Sequence, residues 1–556
     1  FAPYDGTVEI IVNDEGDKEY GPLLVLKHIT DGDLSFYTLY GHLSTDTLSK
    51  WNKGDEIKKG SIIAHIGDFP ENGNWVPHVH FQIITEILDY LDDYPGVAAP
   101  EELAVWKSLC PNPNLILQME HPDLIFKETK IKDLLLDRAS MMPGNLSVNY
   151  AKDPLKIVRG YKQYLYDAKG RVYLDLANNV AHVGHQHPRV VNAAIKQMAV
   201  LNTNTRYLHD NIVDFTKAIL ETMPDSLSVV YCVNSGSEAN ELAMRLATTY
   251  TKAKDIIALE VGYHGNSQAC VDVSSYKFDS NGGEGKKDHI HIIPLPDSFR
   301  GKFRGSEAGS MYAKAMQEVV DKIDKKPAAF IAESIMSCGG QVVLPKGFLE
   351  KAYEITRAKG GVCIADEVQT GVGRTGKHFW AFQLHDVVPD IVTIGKPIGN
   401  GHPLAVVITT KAIAEAFHNG MEWFNTFGGN PVSMAIGKEV LDIVKDEKLQ
   451  ENALAVGNYF KSKLRALAEA FPIIADVRGE GLFIGFELIR NKETMEPADL
   501  ETSHLALRMR QHRILLGTDG KDHNVIKIKP PMCFTKANVD HVIDTLKKVL
   551  KEDFFN

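Results

Sequence analysis

Cysteine is scarce. Six occur in 556 residues, at Cys110, Cys232, Cys270, Cys338, Cys363 and Cys533, and no two share a paired spacing. That excludes a disulfide-built scaffold and predicts reduced, mostly buried thiols and a cytoplasmic setting. No apolar run reaches the roughly 18 residues that cross a bilayer, so no membrane span is expected. Positive charge is not in excess either. With 61 Lys and Arg against 72 Asp and Glu the formal net charge is −11, which excludes bulk attraction to nucleic acid or anionic lipid. Internal repeats and low-complexity tracts are absent. No signal peptide is visible, but the chain opens on Phe1 in mid-pattern, so the expectation is a fragment of something longer.

What is present is an ordinary globular composition, 44% hydrophobic and 24% charged. At roughly 150 residues per domain the length predicts three or four folding units. Two textures meet near residues 111–130. Up to about Ile84 the chain runs in short β-rich segments with glycine turns, such as Gly6–Val12 and Leu23–Leu26, the pattern of a small antiparallel β domain. A helical stretch around Glu101–Leu109 follows, and then a linker punctuated by Pro111, Pro113 and His121-Pro122.

From about Lys156 the texture becomes α/β. Short apolar strands are expected at Ser228–Val233, Ile256–Leu259, Ala328–Ile331, Gly361–Ala365, Asp390–Ile394 and Leu404–Ile408, alternating with helices. That alternation predicts a mostly parallel sheet with helices on both faces. After Pro431 come long helices, strands at Gly481–Leu488 and Val525–Lys529, and a closing helix at Lys536–Lys551, read as a smaller α+β domain. The expected division is 1–110 for the β domain, 111–130 for the linker and 131–190 for an N-terminal segment of the second part. Residues 191–430 then form its large domain and 431–556 its small one.

Two segments offer a lysine and a carboxylate to one crevice. Ile364–Gly371 puts Asp366 at the end of one apolar strand, and Thr393–Asn400 puts Lys396 at the end of the next. In an α/β sheet, ligands collect at the carboxyl ends of strands. Pyridoxal 5′-phosphate chemistry needs this pair: an amine to bind the cofactor aldehyde covalently, and a carboxylate to keep the pyridine nitrogen protonated. Taken alone, Lys396 reads as a surface lysine in a turn and Asp366 as a helix cap. Asn234–Asn240 then supplies a turn between a strand and a helix, where free amides and the positive helix end favour a phosphate. Gly236 permits close approach and Ser237 adds a hydroxyl. Tyr263, in Gly262–Gly265, is placed to stack on a ring.

These motifs, with Thr426–Pro431 and in this order, resemble the class III (ornithine/GABA-type) aminotransferases of pyridoxal-phosphate fold type I, over roughly residues 130–556. The resemblance implies that Asp366 pairs with the pyridine nitrogen, Val368 packs on the ring and Gln369 bonds the ring hydroxyl. It places Ser235, Gly236 and Ser237 at the phosphate, and Tyr263, His264, Glu333 and Lys396 around the cofactor. Thr426 would reach the phosphate of a neighbouring subunit, which implies a homodimer with shared sites. Asn178–Pro188, Asn202–His209, Lys377–Phe382 and Lys529–Met532 are similar to the ethanolamine-phosphate and phosphohydroxylysine phospho-lyase branch. In that branch the freed Lys396 would remove a proton beside the amine, phosphate would leave the adjacent carbon, and hydrolysis would give aldehyde and ammonia.

A small phosphorylated amine as substrate requires fixed cations. Candidates are Arg206, Lys277, Arg300 and Arg304, each a solvated surface charge when taken singly. Arg478 matches the arginine that binds substrate carboxylate in many class III transaminases, which keeps an ω-aminotransferase as the rival reading. The cluster His182, His185 and His187 lacks a Cys or carboxylate partner and is not read as a zinc site.

Tyr37–Leu43 and Val76–Phe81 resemble the lysostaphin-type zinc endopeptidases over about residues 1–84. There His80 would ligate zinc, with His42 and His78 assisting. The family's remaining ligand pair would fall before Phe1, and the His42/Asp46 spacing is read as coincidence. A catalytic zinc normally takes three protein ligands. The expectation is therefore a degenerate role such as docking or spacing, with a zinc peptidase or peptide-binding module as the alternative.

Overall fold

A computed structural model describes residues 1–32, 34–99, 102–117, 129–151, 153–168 and 171–555. His121-Pro122 and most of the expected linker lie outside the described residues. Packing divides the chain into two compact units: Phe1–Tyr161 with Leu165–Tyr173, and Lys162–Tyr164 with Leu174–Asn556. Residues 131–161, which the sequence reading assigns to the second part, are counted in the first unit.

The first unit holds a five-stranded antiparallel sheet in the order Glu56–Ile57, Gly6–Asp14, Gly21–Ile29, Ser35–Gly41, His80–Ile84. Alternation along Gly21–Ile29 sends Leu24 and Leu26 to one core, and Leu23 and Val25 to the other. A register shift between Val8 and Ile10 does the same within Gly6–Asp14. Two residues apart, they would share a face in a regular strand, yet Val8 joins the first core and Ile10 the second. The expected helix is found at Leu103–Leu109.

The second unit is built on a seven-stranded sheet in the order Ile290–Ile293, Ile256–Leu259, Ala329–Glu333, Val362–Asp366, Ile391–Ile394, Ala405–Thr409, Val229–Val233. Ala405–Thr409 is antiparallel to both its neighbours; the other pairings are parallel. Six of these strands were legible in the sequence to within two residues at either end. The edge strand Ile290–Ile293 was not. Alternate residues feed two cores, one on each face: Cys363, Ala365, Val392 and Ile394 on one side, Val362, Ile364 and Ile391 on the other. Burial on both faces is why these strands read as unbroken apolar runs, each large side chain contributing about 1.5–3 kcal/mol.

Beyond the large sheet lies a second antiparallel one, in the order Ile474–Glu480, Phe483–Asn491, Val525–Ile528, Gly517–Asp519. Helices Leu449–Ala470, Asp499–Gln511 and Lys536–Val549 belong to the same region. Phe483–Asn491 and Val525–Ile528 answer the expected strands; Ile474–Glu480 and Gly517–Asp519 were not foreseen.

Candidate active site

Parallel register brings the key carboxylate into place. Glu333 pairs with Asp366, and Asp366 with Thr393, at the carboxyl ends of three adjacent strands. Lys396 lies three residues beyond Thr393, opening the short helix Lys396–Gly399. Its backbone holds φ at 31°, in the left-handed region that a lysine adopts only under constraint. Such strain collects at functional sites. A cleft of about 420 Å³ opens over these strand ends, within the range of small-molecule sites. Ser235, Gly236, Ser237, Tyr263, His264, Glu333, Asp366, Val368, Gln369 and Lys396 all line it. Among the described residues Lys396 Nζ makes no hydrogen bond or ion pair.

Asp366 is buried and tightly held. His264 Nδ1 lies 2.8 Å from its Oδ2, Asn240 Nδ2 donates to the same oxygen at 2.8 Å, and the Val368 amide donates to Oδ1 at 3.0 Å. Asn240 is fixed in turn, accepting from Thr393 Oγ1 at 2.7 Å and donating to the His264 carbonyl at 2.7 Å. Asn240 belongs to helix Gly236–Thr251, which begins with Ser235 as its cap, whose Oγ accepts from the Glu238 amide at 3.2 Å. The Gly236 and Ser237 amides, in the first turn, have no intrahelical acceptor. A Cβ on Gly236 would stand 2.8 Å from Val368 Cγ1, so only glycine leaves room there.

Glu333 is buried, bonded through Oε1 to Ser337, with Oε2 left unpartnered. Burial first, and the Asp366 charge second, push its carboxyl up to about 7 from an ordinary 4.5. A raised acid pKa in the folded state means that the fold binds a proton the unfolded chain has released. The stability this supplies is complete below about pH 4.5 and is lost as pH rises through about 7. Glu333→Gln cannot ionise. The expected outcome is that the stability of the variant relative to wild type rises across that window, read by apo-protein denaturation at a series of pH values; a flat difference would contradict it.

The remaining expected residues lie elsewhere. Thr426 is exposed and does not line the cleft. Arg206 is half exposed, 4.0 Å over the Phe424 ring and 3.3 Å from Glu422. Lys277 sits 5.6 Å over the Tyr263 ring and lines a neighbouring cavity of about 720 Å³ with Glu260, Lys521 and His523. Arg304 bonds the Gly301 carbonyl at 3.4 Å. Arg300 and Arg478 do not reach the cleft. Both guanidinium groups are drawn to buried Glu487, Arg478 at 2.7 Å, with Arg478 also on Asp476 at 2.8 Å and the Gly340 carbonyl at 2.8 Å. Against burial, which alone would raise it, the two arginines hold the Glu487 carboxyl below its ordinary range.

Sequence reasoning passed over Asn240, Thr393, Asn179 and Lys529, although each lay inside a quoted motif. Which way each side chain turns is set by packing. Ser337 carried no signal at all.

In the first unit the rings of His42 and His78 lie 4.5 Å apart, and those of His42 and His80 6.1 Å apart. Burial first, then His78, pushes His42 down to about 4. Nδ1 of His42 and of His78 lie within bonding distance of the carbonyls of Asn72 and Val76. Asp46 turns to Ser44 and His65. His182, His185 and His187 are engaged separately, by Val372 and Arg374, by Asp175 and by Glu447. Among the described residues no group of three His, Cys, Asp or Glu is placed to hold a metal ion, and no helix is long and apolar enough to cross a membrane.

A lysine and a carboxylate at adjacent strand ends, beside a helix N-terminus in one cleft of a doubly covered sheet, define a fold type I pyridoxal-phosphate enzyme. A family model described as aminotransferase class-III matches residues 146–550, and the chain belongs to that family. Residues 1–90 match a second model, peptidase family M23. The chain is 49% identical over 405 residues to an alanine–glyoxylate aminotransferase 2-like protein of Drosophila melanogaster, covering 71% of this chain and 82% of that one. It is 40% identical over 442 residues to ethanolamine-phosphate phospho-lyase homolog 1 of Caenorhabditis elegans, covering 76% and 94%. Among solved structures it resembles a phospholyase from Arthrobacter in complex with phosphoethanolamine, with a TM-score of 0.72 and 33% identity over 75% of this chain and 99% of that one.

The residues fit pyridoxal 5′-phosphate. The cleft offers an uncommitted amine, a buried carboxylate, helix-start amides for an anion and a glycine whose absent side chain leaves space.

Proposed function

We propose that this chain eliminates phosphate from a small phosphorylated amino alcohol, such as phosphoethanolamine, to give aldehyde, ammonia and phosphate. Bound pyridoxal 5′-phosphate would supply an electron sink for charge developing beside the substrate amine. Lys396 would hold the cofactor and, once freed, take the proton from that carbon on Nζ. Asp366, kept in place by Asn240, His264 and the Val368 amide, would face the pyridine nitrogen. Val368 would pack on the ring, Gln369 would meet the ring hydroxyl, and Ser235, Gly236 and Ser237 would hold the phosphate group, with Tyr263, His264 and Glu333 closing the walls. In a homodimer, exposed Thr426 of one copy would complete the site of the other.

The observation that carries the lyase over the aminotransferase is the commitment of Arg478. An amino-acid donor needs a cation for its carboxylate, and Arg478 is held by Glu487, Asp476 and the Gly340 carbonyl. Withdrawing it would break its ion pairs with buried Glu487 and with Asp476. The likeness to the phosphoethanolamine-bound phospholyase supports the same reading. Lys277, over the ring of cleft-lining Tyr263, and Arg206 remain the cations proposed for the leaving phosphate.

The test is incubation of the purified protein with phosphoethanolamine. Equimolar phosphate and aldehyde are expected, without any keto acid. Amino transfer to a keto acid with no phosphate released would overturn the lyase reading in favour of an ω-aminotransferase.

A further inference from the structure

Behind the cleft wall lies a buried lysine that the proposed chemistry does not use. Lys529 is 2% exposed and its amide donates to the Leu176 carbonyl at 2.8 Å. Its Nζ sits 4.5 Å over the Phe483 ring, 3.7 Å from Asp519 Oδ2 and 3.2 Å from Gln369 Oε1. It does not line the cleft, but Gln369 does.

The Gln369 amide is fixed by what surrounds it. Oε1 accepts from Lys529 and, at 2.9 Å, from Asn179 Nδ2, which fills both lone pairs. Nε2 donates to Ser337 Oγ at 2.6 Å, and Ser337 donates on to Glu333. An amide's oxygen and nitrogen are nearly the same shape, so only donors and acceptors decide which way it turns. With two donors on Oε1, the second N–H of Nε2 is the group left for the cleft.

We propose that Lys529 is a positioning residue: through the Gln369 amide it ensures that an N–H, and not a carbonyl oxygen, meets the phenolic edge of the bound cofactor. This rests on the cofactor placement proposed above. A donor there stabilises negative charge on the phenolic oxygen. The titratable groups facing Lys529 are Asp519 and Lys527 from the small antiparallel sheet, and Glu333 and Cys338 from the large sheet and the turn after it. Burial pushes its ammonium down to about 8 against the pull of Asp519.

The experiment is a pH titration of the visible absorbance of the cofactor-loaded protein in wild type, Lys529→Met, Gln369→Leu and the double variant. Lys529→Met is expected to raise the midpoint by about one pH unit. Gln369→Leu should shift it in the same direction, and adding Lys529→Met to that background should shift it no further. A wild-type midpoint in Lys529→Met, or shifts that simply add, would overturn the proposal. If the methionine variant does not fold, Lys529→Gln enters the same cycle. Lys396→Ala separates the two readings. If its band survives, the cofactor placement fails and this inference with it; if the band is lost while Lys529→Met titrates as wild type, only the positioning role fails.

Discussion

Lys396→Ala is expected to lose the visible absorbance of covalently held cofactor, and its turnover of phosphoethanolamine should fall by about 10⁴-fold, the upper range for removal of a proton-transferring group. The structural reason is isolation. Among the described residues no other amine lines the cleft, and Lys396 itself is not engaged by any carboxylate that would lower its availability. Its left-handed backbone and the proline after it hold it at the strand end in one orientation. The fold should survive, because the side chain packs only partly and leaves no buried partner unpaired. Absorbance of the purified variant and phosphate release settle the matter together. A variant that keeps the band and the rate would refute the assignment of this lysine.

Asp366→Asn should be the second largest loss, on the order of 10²–10³ in kcat. The substitution keeps the shape and removes the charge, and it also breaks the hydrogen-bond pattern. Two groups, Asn240 Nδ2 and His264 Nδ1, converge on one carboxylate oxygen, and the Val368 amide donates to the other. An amide has a single acceptor oxygen. Whichever way it turns, its NH₂ group faces an existing donor, so a buried polar group is left unsatisfied at about 1–3 kcal/mol. Apo-protein denaturation should therefore show a modest stability loss beside the large kinetic one. A rate within a few-fold of wild type would mean that the carboxylate is not what sustains charge at the ring.

These two residues were legible before any fold was known because each ends an apolar strand, and strand ends in parallel sheets are where ligands collect. The five internal strands of the large sheet were legible for a related physical reason. Burial on both faces leaves a run of Val, Ile, Ala and Cys that no helix pattern imitates at that length. Ile290–Ile293 was missed because it is an edge strand of four residues with a histidine inside it. Lys529 shows the opposite limit. In sequence it opens a Pro-Pro motif, and nothing in that motif tells whether its amine faces water, phosphate or the back of Gln369.

The sequence by itself determined the class of fold, the lysine and the carboxylate at the strand ends, the glycine–serine turn that opens a helix and the separate β-rich beginning, all of them consequences of local pattern and strand-end position. Only the tertiary structure decided where the long cationic side chains go. Arg300 and Arg478 were candidates for substrate until Glu487, buried on a neighbouring strand, proved to bind both. A flexible side chain several bonds long takes its partner from three-dimensional charge balance, and the residues that supply that balance lie far apart along the chain.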